Sequence, residues 1–151
     1  MKRVLALFIA AVLCGAVAEA GDVKVDVTMT TNPGGEETTS FAPDAPKIFA
    51  IFKTKGAQNA DKIRGLWIAE DVGNAAPANS KIDEKSVTLE GDTDDGRFSL
   101  SKNMKSWPEG KYRLEIYVND KLMTTTKFTI GSSKEEESQE SSEGEYSFHR
   151  S

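Results

Sequence analysis

The sequence predicts an all-β sandwich, and two observations support this fold class. Seven short stretches between residues 23 and 130 alternate apolar and polar side chains, the period of a strand with one buried face. Residues typical of turns separate the stretches, and none of the sequence between them has the spacing of an amphipathic helix. Short strands at this spacing favour two packed antiparallel sheets, here of seven or eight strands.

The apolar residues of most predicted strands fall mainly on one face. The second strand is apolar on both faces, and in the third Leu66 and Ile68 lie opposite the face of Trp67. Strict alternation points Val87 and Leu89 inward, and it places Leu122 on the same face as Phe128. Asn119-Asp120 is a two-residue turn suited to positive φ, which predicts a hairpin between the last two strands. In chain order the predicted strands are 23–31, 47–53, 62–70, 85–90, 97–101, 111–118 and 121–130.

Residues 1–20 have the three parts of a secretory signal peptide. Lys2-Arg3 gives the positive start, residues 4–17 form an uncharged apolar run, and Ala18-Glu19-Ala20 places small residues at the cleavage site before Gly21. A retained membrane anchor is the alternative, but a spanning helix needs about 20 apolar residues and this run is shorter. We therefore expect an exported protein, periplasmic or secreted, without a transmembrane helix after cleavage.

The single cysteine, Cys14, lies inside the apolar run. Lipid attachment there would call for a leucine-like residue three positions earlier and a small residue just before, and Ala11 and Leu13 fit both positions badly. A lipid anchor at Cys14 is therefore not expected. Loss of the signal leaves no cysteine, so the mature domain must be held by packing rather than by disulfides.

Charge and composition divide the rest of the chain. Residues 21–40 are predicted as an N-terminal strand with a flexible connection, residues 41–131 as the sandwich, and residues 132–151 as a disordered acidic tail. The chain has 19 Lys and Arg against 24 Asp and Glu, a balance that disfavours nucleic-acid binding. Tyr146, Phe148 and His149 end the tail, either as part of a solvated segment or as a short motif for a partner.

Two features of the body resemble immunoglobulin-like domains. Trp67 lies in the third predicted strand of the body or close to it, where such domains often bury a tryptophan. Residues 107–112, W-P-E-G-K-Y, resemble the turn of bacterial exported immunoglobulin-like domains. The resemblance implies that the Tyr112 hydroxyl bonds back to the backbone and that Leu114 takes the place of a core cysteine. It covers residues 41–131 and implies the fold, not an activity.

The residues that catalysis requires are scarce. The single histidine, His149, lies two residues from the C-terminus, so a Ser–His–Asp or Cys–His site and a Cys/His zinc site are not expected. Asp92, Asp94 and Asp95 form an oxygen-rich turn that is a weak candidate for Ca²⁺. An ordinary hairpin turn needs the same residue types, and we expect no cofactor.

Two further features are candidates for binding. Residues 70–79 form a long loop without apolar bulk, and long loops often carry function, although a simple surface excursion is also consistent. Trp107, Tyr117 and Met123 are candidate exposed residues for contact with a partner. Either they form an apolar docking patch, or both sheet faces are partly covered, for example by the strand at residues 23–31.

The leading expectation is a non-catalytic binding or structural module outside the cytoplasm, with a protein or a cell-envelope component as partner. Three alternatives stay open. They are a carbohydrate-binding module that uses aromatics such as Trp107, a hydrolase built on paired carboxylates, and a calcium-dependent adhesion domain.

Overall fold

The computed structural model describes residues 22–131, which form eight strands. The strands are β1 (Lys24–Thr30), β2 (Ser40–Phe41), β3 (Lys47–Lys55), β4 (Lys62–Asp71), β5 (Ser80–Thr88), β6 (Asp95–Ser101), β7 (Gly110–Val118) and β8 (Lys121–Ile130). The one helical segment among these residues is the 3₁₀ turn Gly73–Ala75, which is far too short to cross a membrane. The predicted signal peptide (1–20) and acidic tail (132–151) lie outside the described residues.

The strands form two sheets with the order of an immunoglobulin-like sandwich. One sheet has the order β1-β3-β6, and the other has the order β2-β8-β7-β4-β5. Leaving aside the short β2, strands one, two and five of the chain form one sheet, and strands three, four, six and seven form the other. The grouping of strands one, two and five against three, six and seven is that of immunoglobulin domains, and the fourth strand joins the sheet of the third strand, as additional strands do in variable-type domains. All pairings are antiparallel except the two-residue pairing of β2 with β8. The predicted fold class is confirmed.

The N-terminal strand is an integral part of the sandwich. All seven residues of β1 pair with β3, from Lys24 opposite Lys55 to Thr30 opposite Phe49. The sandwich therefore begins at residue 24 rather than at residue 41. β1 extends the smaller sheet at its edge, so it does not cover an outer sheet face as one interpretation of the sequence proposed.

Four aromatic rings link the strands of the larger sheet within the core. Phe128 on β8 stacks on Tyr112 of β7 at 5.4 Å between ring centroids. The Phe128 ring also makes nearly perpendicular contacts with Trp67 of β4 and Phe41 of β2, at 5.8 Å and 5.7 Å between ring centroids. All four rings are buried, so each contributes about 1.5–3 kcal/mol by burial alone, and aromatic pairs in these geometries add to that.

A second aromatic pair, Phe52 and Phe98, fits only because two neighbouring positions are glycine. The two rings stack at 5.1 Å between centroids. A Cβ atom at Gly65, on the opposite sheet, would lie 2.8 Å from the Phe98 ring, and one at Gly96 would overlap the Phe52 ring. The absence of a side chain at these positions gives the rings the room to lie between the sheets.

The structure differs from the prediction for the fourth strand in where the strand begins and in which of its side chains are buried. β5 begins at Ser80, five residues before the predicted start, and Val87 is 37% exposed rather than inward. The reason is that β5 is the edge strand of its sheet and pairs only with β4, so it extends beyond the core. Leu89 is buried as predicted, but it lies after the strand ends.

A bulge in the last hairpin reverses the predicted orientation of two apolar residues. The register between β7 and β8 shifts after Ile116, so that Tyr117 pairs with Leu122 and Ile116 with Thr124. Because the extra residue changes the alternation, Met123 packs against the core and Leu122 is 48% exposed. The expectation that Met123 points away from the core was therefore wrong, as was the inward placement of Leu122.

We expect Gly65→Ala to lower the free energy of unfolding by about 1–3 kcal/mol, because its methyl group overpacks the Phe98 ring. Urea denaturation followed by circular dichroism measures the change. Phe98→Leu should cost less in the Gly65→Ala background than in the wild type. Additive losses would show that the two positions are not in steric conflict.

Candidate functional site

An apolar pocket with a volume of about 180 Å³ opens at the end of the sandwich where β4 passes to β5. One wall is the loop at residues 72–76, the opposite wall is the segment 103–108, and β5 forms a third side. The apolar residues that define its shape are Val72, Ala76, Ile82, Met104, Trp107 and Tyr112. The long loop that the sequence singled out therefore forms part of a concave surface.

The loop wall is held in shape by short-range hydrogen bonds. The Asp71 carboxylate accepts a bond from the Gly73 amide at 3.2 Å, and the Ser80 hydroxyl donates to the Pro77 carbonyl at 2.6 Å. The Asn79 amide closes the loop by donating to the Glu70 carbonyl at 3.2 Å. Val72 is buried against the core, which anchors the start of the loop.

The opposite wall is anchored by Trp107, whose indole Nε1–H donates to the Ala45 carbonyl at 2.7 Å. Its backbone amide donates to the Pro43 carbonyl at 2.9 Å. With 4% of its surface exposed, Trp107 is not the exposed aromatic that the sequence suggested. A buried indole with a satisfied donor is a structural anchor, and its ring forms part of the pocket wall.

Tyr112 joins this wall to the core. Its hydroxyl donates to the Pro108 carbonyl at 2.5 Å, four residues earlier, and burial raises the pKa of Tyr112 to about 12. Gly110 lies between them with a φ of 151°, and a Cβ atom there would overlap the Asp71 carbonyl. The turn at residues 108–112 therefore fits closely against the end of β4, where the loop wall begins.

Two apolar side chains at the pocket remain open to solvent. Met104 is 52% exposed and Ile82 is 38% exposed. Lys81 is the one charged residue of the lining, and its Nζ lies 3.3 Å from the Glu84 carboxylate. The pocket therefore combines an apolar wall, two exposed apolar side chains and a single cation.

A polar network crosses the outer face of the larger sheet beside the pocket. The Arg113 Nε donates to Glu115 Oε1 at 2.8 Å, and the Tyr117 hydroxyl donates to Glu115 Oε2 at 2.6 Å. The Arg64 guanidinium stacks over the Tyr117 ring at 4.1 Å, within the range of a cation–π contact. Tyr117 is therefore half-buried with its hydroxyl engaged, rather than a free aromatic on the sheet face.

The network shifts the pKa of two of its members in opposite directions. Hydrogen bonds from Tyr117 and then Arg113 hold the pKa of Glu115 below its ordinary value of 4.5. The same hydrogen bond to Glu115 raises the pKa of Tyr117 above 10.0. Both shifts favour the charged carboxylate beside a protonated phenol.

The network also reaches the pocket loop through a single contact. The Arg113 Nη1 donates to Asn79 Oδ1 at 2.5 Å, and Asn79 has a positive φ of 61° at the end of the loop. The Nε atom of the same guanidinium donates to Glu115. Arg113 therefore connects the loop wall of the pocket to the sheet face.

The remaining candidates from the sequence lie elsewhere. Trp67 and Leu114 are fully buried in the core, and the Trp67 Nε1–H has no hydrogen-bond partner among residues 22–131. Asp92, Asp94 and Asp95 lie at the β5–β6 turn, at the opposite end of the strands from the pocket. Within residues 22–131, no three His, Cys, Asp or Glu side chains are grouped closely enough to hold a metal ion.

Sequence reasoning missed Ile82, Met104 and Arg113. Ile82 lies in a segment that the sequence assigned to no strand, and Met104 lies between two predicted strands, so neither took part in an alternation pattern. The proximity of Met104 to residues 72–76 depends on how the two sheets pack. No local signal marked either residue, because single apolar side chains are common on protein surfaces.

Three solved structures are similar to this chain at low identity. An immunoglobulin-like protein from Pseudomonas aeruginosa has 15% identity, a TM-score of 0.48, and coverage of 74% of this chain and 98% of that chain. An alkylpurine DNA glycosylase from Pseudomonas fluorescens, bound to DNA containing an abasic site analogue, has 14% identity and a TM-score of 0.49 over 73% of this chain and 30% of that chain. A beta-glucosidase from Listeria innocua, in complex with laminaribiose, has 11% identity and a TM-score of 0.44 over 72% of this chain and 16% of that chain.

These likenesses concern the fold, and no activity is carried over from them. No family model and no curated protein matches the chain. The two sheets and their strand order give the chain an immunoglobulin-like fold.

We expect Tyr112→Phe to lower the free energy of unfolding by about 1–2 kcal/mol, because the Pro108 carbonyl loses its donor in a partly buried turn. Urea denaturation measures the loss, and an unchanged m-value would show that the native state keeps its compactness. A variant as stable as the wild type would mean that the hydroxyl contributes nothing to the turn.

We expect Glu115→Gln to lower the pKa of Tyr117 toward 10.0, because the carboxylate that disfavours the phenolate is removed. Absorbance titration of the tyrosines measures this shift. Glu84→Gln is the matched control, since it removes a carboxylate from the same sheet face that does not bond Tyr117. An unchanged titration in Glu115→Gln would contradict the hydrogen bond.

Glu115→Gln also tests how the stability of the domain depends on pH in the acidic range. A lowered carboxylate pKa stabilises the folded state above the ordinary value of 4.5, and that stabilisation is lost as the pH falls through the lowered pKa. The wild type should therefore lose stability more steeply below pH 4.5 than Glu115→Gln does. Denaturation midpoints across this pH range provide the comparison.

Proposed function

We propose that the protein is a non-catalytic, exported binding module that takes an aromatic side chain of a protein partner into the pocket between β4, β5 and the segment 103–108. The observation that carries this proposal is the apolar pocket itself, with Met104 and Ile82 exposed beside it. Ligand sites in proteins are concave and mostly apolar, with few polar groups.

The size of the pocket favours one side chain over a larger ligand. Its volume is about 180 Å³, whereas pockets for drug-sized ligands span about 300–1,000 Å³. An apolar cavity of about 150 Å³ is large enough for a benzene ring. A single aromatic ring from a partner is therefore the occupant that fits best.

The charge at the pocket favours an acidic residue near that ring. Lys81 is the charged residue of the lining, and 64% of its side chain is exposed. Its contact with Glu84 is solvated, and pairs of that kind contribute little, so a carboxylate of the partner could replace it at small cost. Hence we propose an acidic, aromatic segment as the recognised element.

A binding role accounts for the lining better than catalysis does. The Tyr112 hydroxyl is already bonded to Pro108, and its pKa of about 12 makes it a poor general base near neutral pH. The carbohydrate alternative depended on exposed aromatics such as Trp107, and both Trp67 and Trp107 are buried. The partner's location outside the cytoplasm follows from the proposed signal peptide.

A photo-crosslinking amino acid at position 104 tests the proposal in cells that export the full chain. We expect it to give a discrete partner adduct at position 104 and none at position 122. Leu122 is a matched control because it is similarly exposed, at 48%, but lies at the opposite end of the sandwich.

A second measurement introduces a negative charge beside the pocket. Ile82→Glu should reduce recovery of that same partner by about tenfold or more, since burial of one such side chain contributes about 1.5–3 kcal/mol. Leu122→Glu should leave recovery unchanged. Equal adducts at positions 104 and 122, or equal effects of the two glutamate variants, would overturn the proposal.

A further inference from the structure

We infer that the chain's own C-terminal segment, residues 145–148, is an occupant of this pocket, with the Phe148 ring inside it. This inference rests on the proposed function, because it assigns the same site a regulatory ligand. Three observations support it: where the described chain ends, how long the following segment is, and which side chains that segment carries.

The described chain ends beside the pocket. β8 ends at Ile130, and a methyl group placed on Gly131 would lie 3.3 Å from the Glu109 carboxylate. Glu109 directly follows Pro108, which lines the pocket. Gly131, the last described residue, therefore lies close to the pocket wall.

The length of the segment is sufficient for Phe148 to reach the pocket. Sixteen residues lie between Gly131 and Phe148, and a chain of that length can span up to about 50 Å. A domain of this size has a radius of gyration of about 13 Å. The connection is therefore long enough to turn back without displacing β8.

The composition of the segment matches the pocket. Tyr146 and Phe148 are the only apolar side chains in residues 132–151; Glu145 directly precedes Tyr146, Glu143 lies two residues earlier, and His149 and Arg150 follow Phe148. An aromatic ring next to carboxylates is the chemistry that the apolar lining and Lys81 favour.

The wider charge distribution is also complementary. Residues 134–145 contain six glutamates and one lysine. The segment that carries Met104 includes Lys102 and Lys105, and Lys81 lies on β5 across the pocket. Opposite charges of this kind orient a tethered segment and accelerate its encounter with the site.

Tethering gives the segment an advantage over a free partner. A ligand attached through a short connection has an effective concentration in the millimolar range. The partner must therefore displace Phe148 before it binds, and the pocket stays covered in the absence of partner. This arrangement would also keep Met104 and Ile82 out of contact with water.

The test uses the purified chain from residue 21 to residue 151 with the photo-crosslinking amino acid at position 104. We expect an adduct within one chain between position 104 and a peptide from residues 142–151, identified by mass spectrometry, with a yield independent of protein concentration. Combined Tyr146→Ser and Phe148→Ser should abolish it, whereas Ser147→Ala should not. The crosslinker at position 122 should give no tail adduct.

The outcomes separate this inference from the proposed function. Adducts that link two chains and increase with concentration would show that a second copy occupies the pocket, and would overturn the inference. The purified chain could also give no tail adduct while position 104 still captures a partner in cells. That result would overturn the inference and leave the proposed function standing. With the tail inside the pocket, the double variant should raise the yield of the partner adduct in cells, and an unchanged yield would contradict competition.

Discussion

The contacts of Phe128 with three other aromatic rings are the interaction on which the rest of the structure depends. Residues 22–131 contain no cysteine, so no disulfide joins the sheets in this part of the chain. Packing must therefore hold the domain together, and within the larger sheet Phe128 brings together side chains from β2, β4 and β7, three strands that are far apart in sequence. In a fold with many non-local pairings, such a cluster has to offset the entropy of closing long loops.

Tyr112 extends this cluster to the surface. One face of its ring stacks on Phe128, and its hydroxyl holds the Pro108 carbonyl. Because Trp107 precedes Pro108 and is itself bonded to Ala45, the wall of the pocket is fixed by the same packing that stabilises the core. On the other side, Arg113 holds the end of the loop wall by a hydrogen bond to Asn79. A rigid pocket loses little conformational entropy when it binds, which favours affinity.

The alternation of apolar residues was sufficient to predict seven of the eight strands. Six of these strands have a face on the core, whereas β5, at the edge of its sheet, contains no buried residue, which is why its start and the burial of Val87 were predicted wrongly. The alternation could not predict β2, since two residues carry no period, or the bulge after Ile116, since bulges depend on the pairing partner. The bulge is why Met123 was placed outside and Leu122 inside. Trp107 was misplaced for a different reason. Its burial depends on a carbonyl acceptor 62 residues away, and no local pattern reports such a contact. The pocket was equally hidden, because its walls come from three separate segments.

The short strand β2 has a mechanical consequence. It runs parallel to β8, and the two are joined by bonds from the Thr129 amide to Thr39 and from the Gly131 amide to Phe41. Tension that reaches β2 from its N-terminal side and β8 from its C-terminal side pulls the strands in opposite directions along their length. The two bonds are then loaded in shear and must break together, while the Phe41 ring is drawn from its contact with Phe128. Because β1 precedes β2 and pairs with β3 over seven residues, tension from the N-terminal side loads the β1–β3 pairing first, and β2 is the second point of resistance.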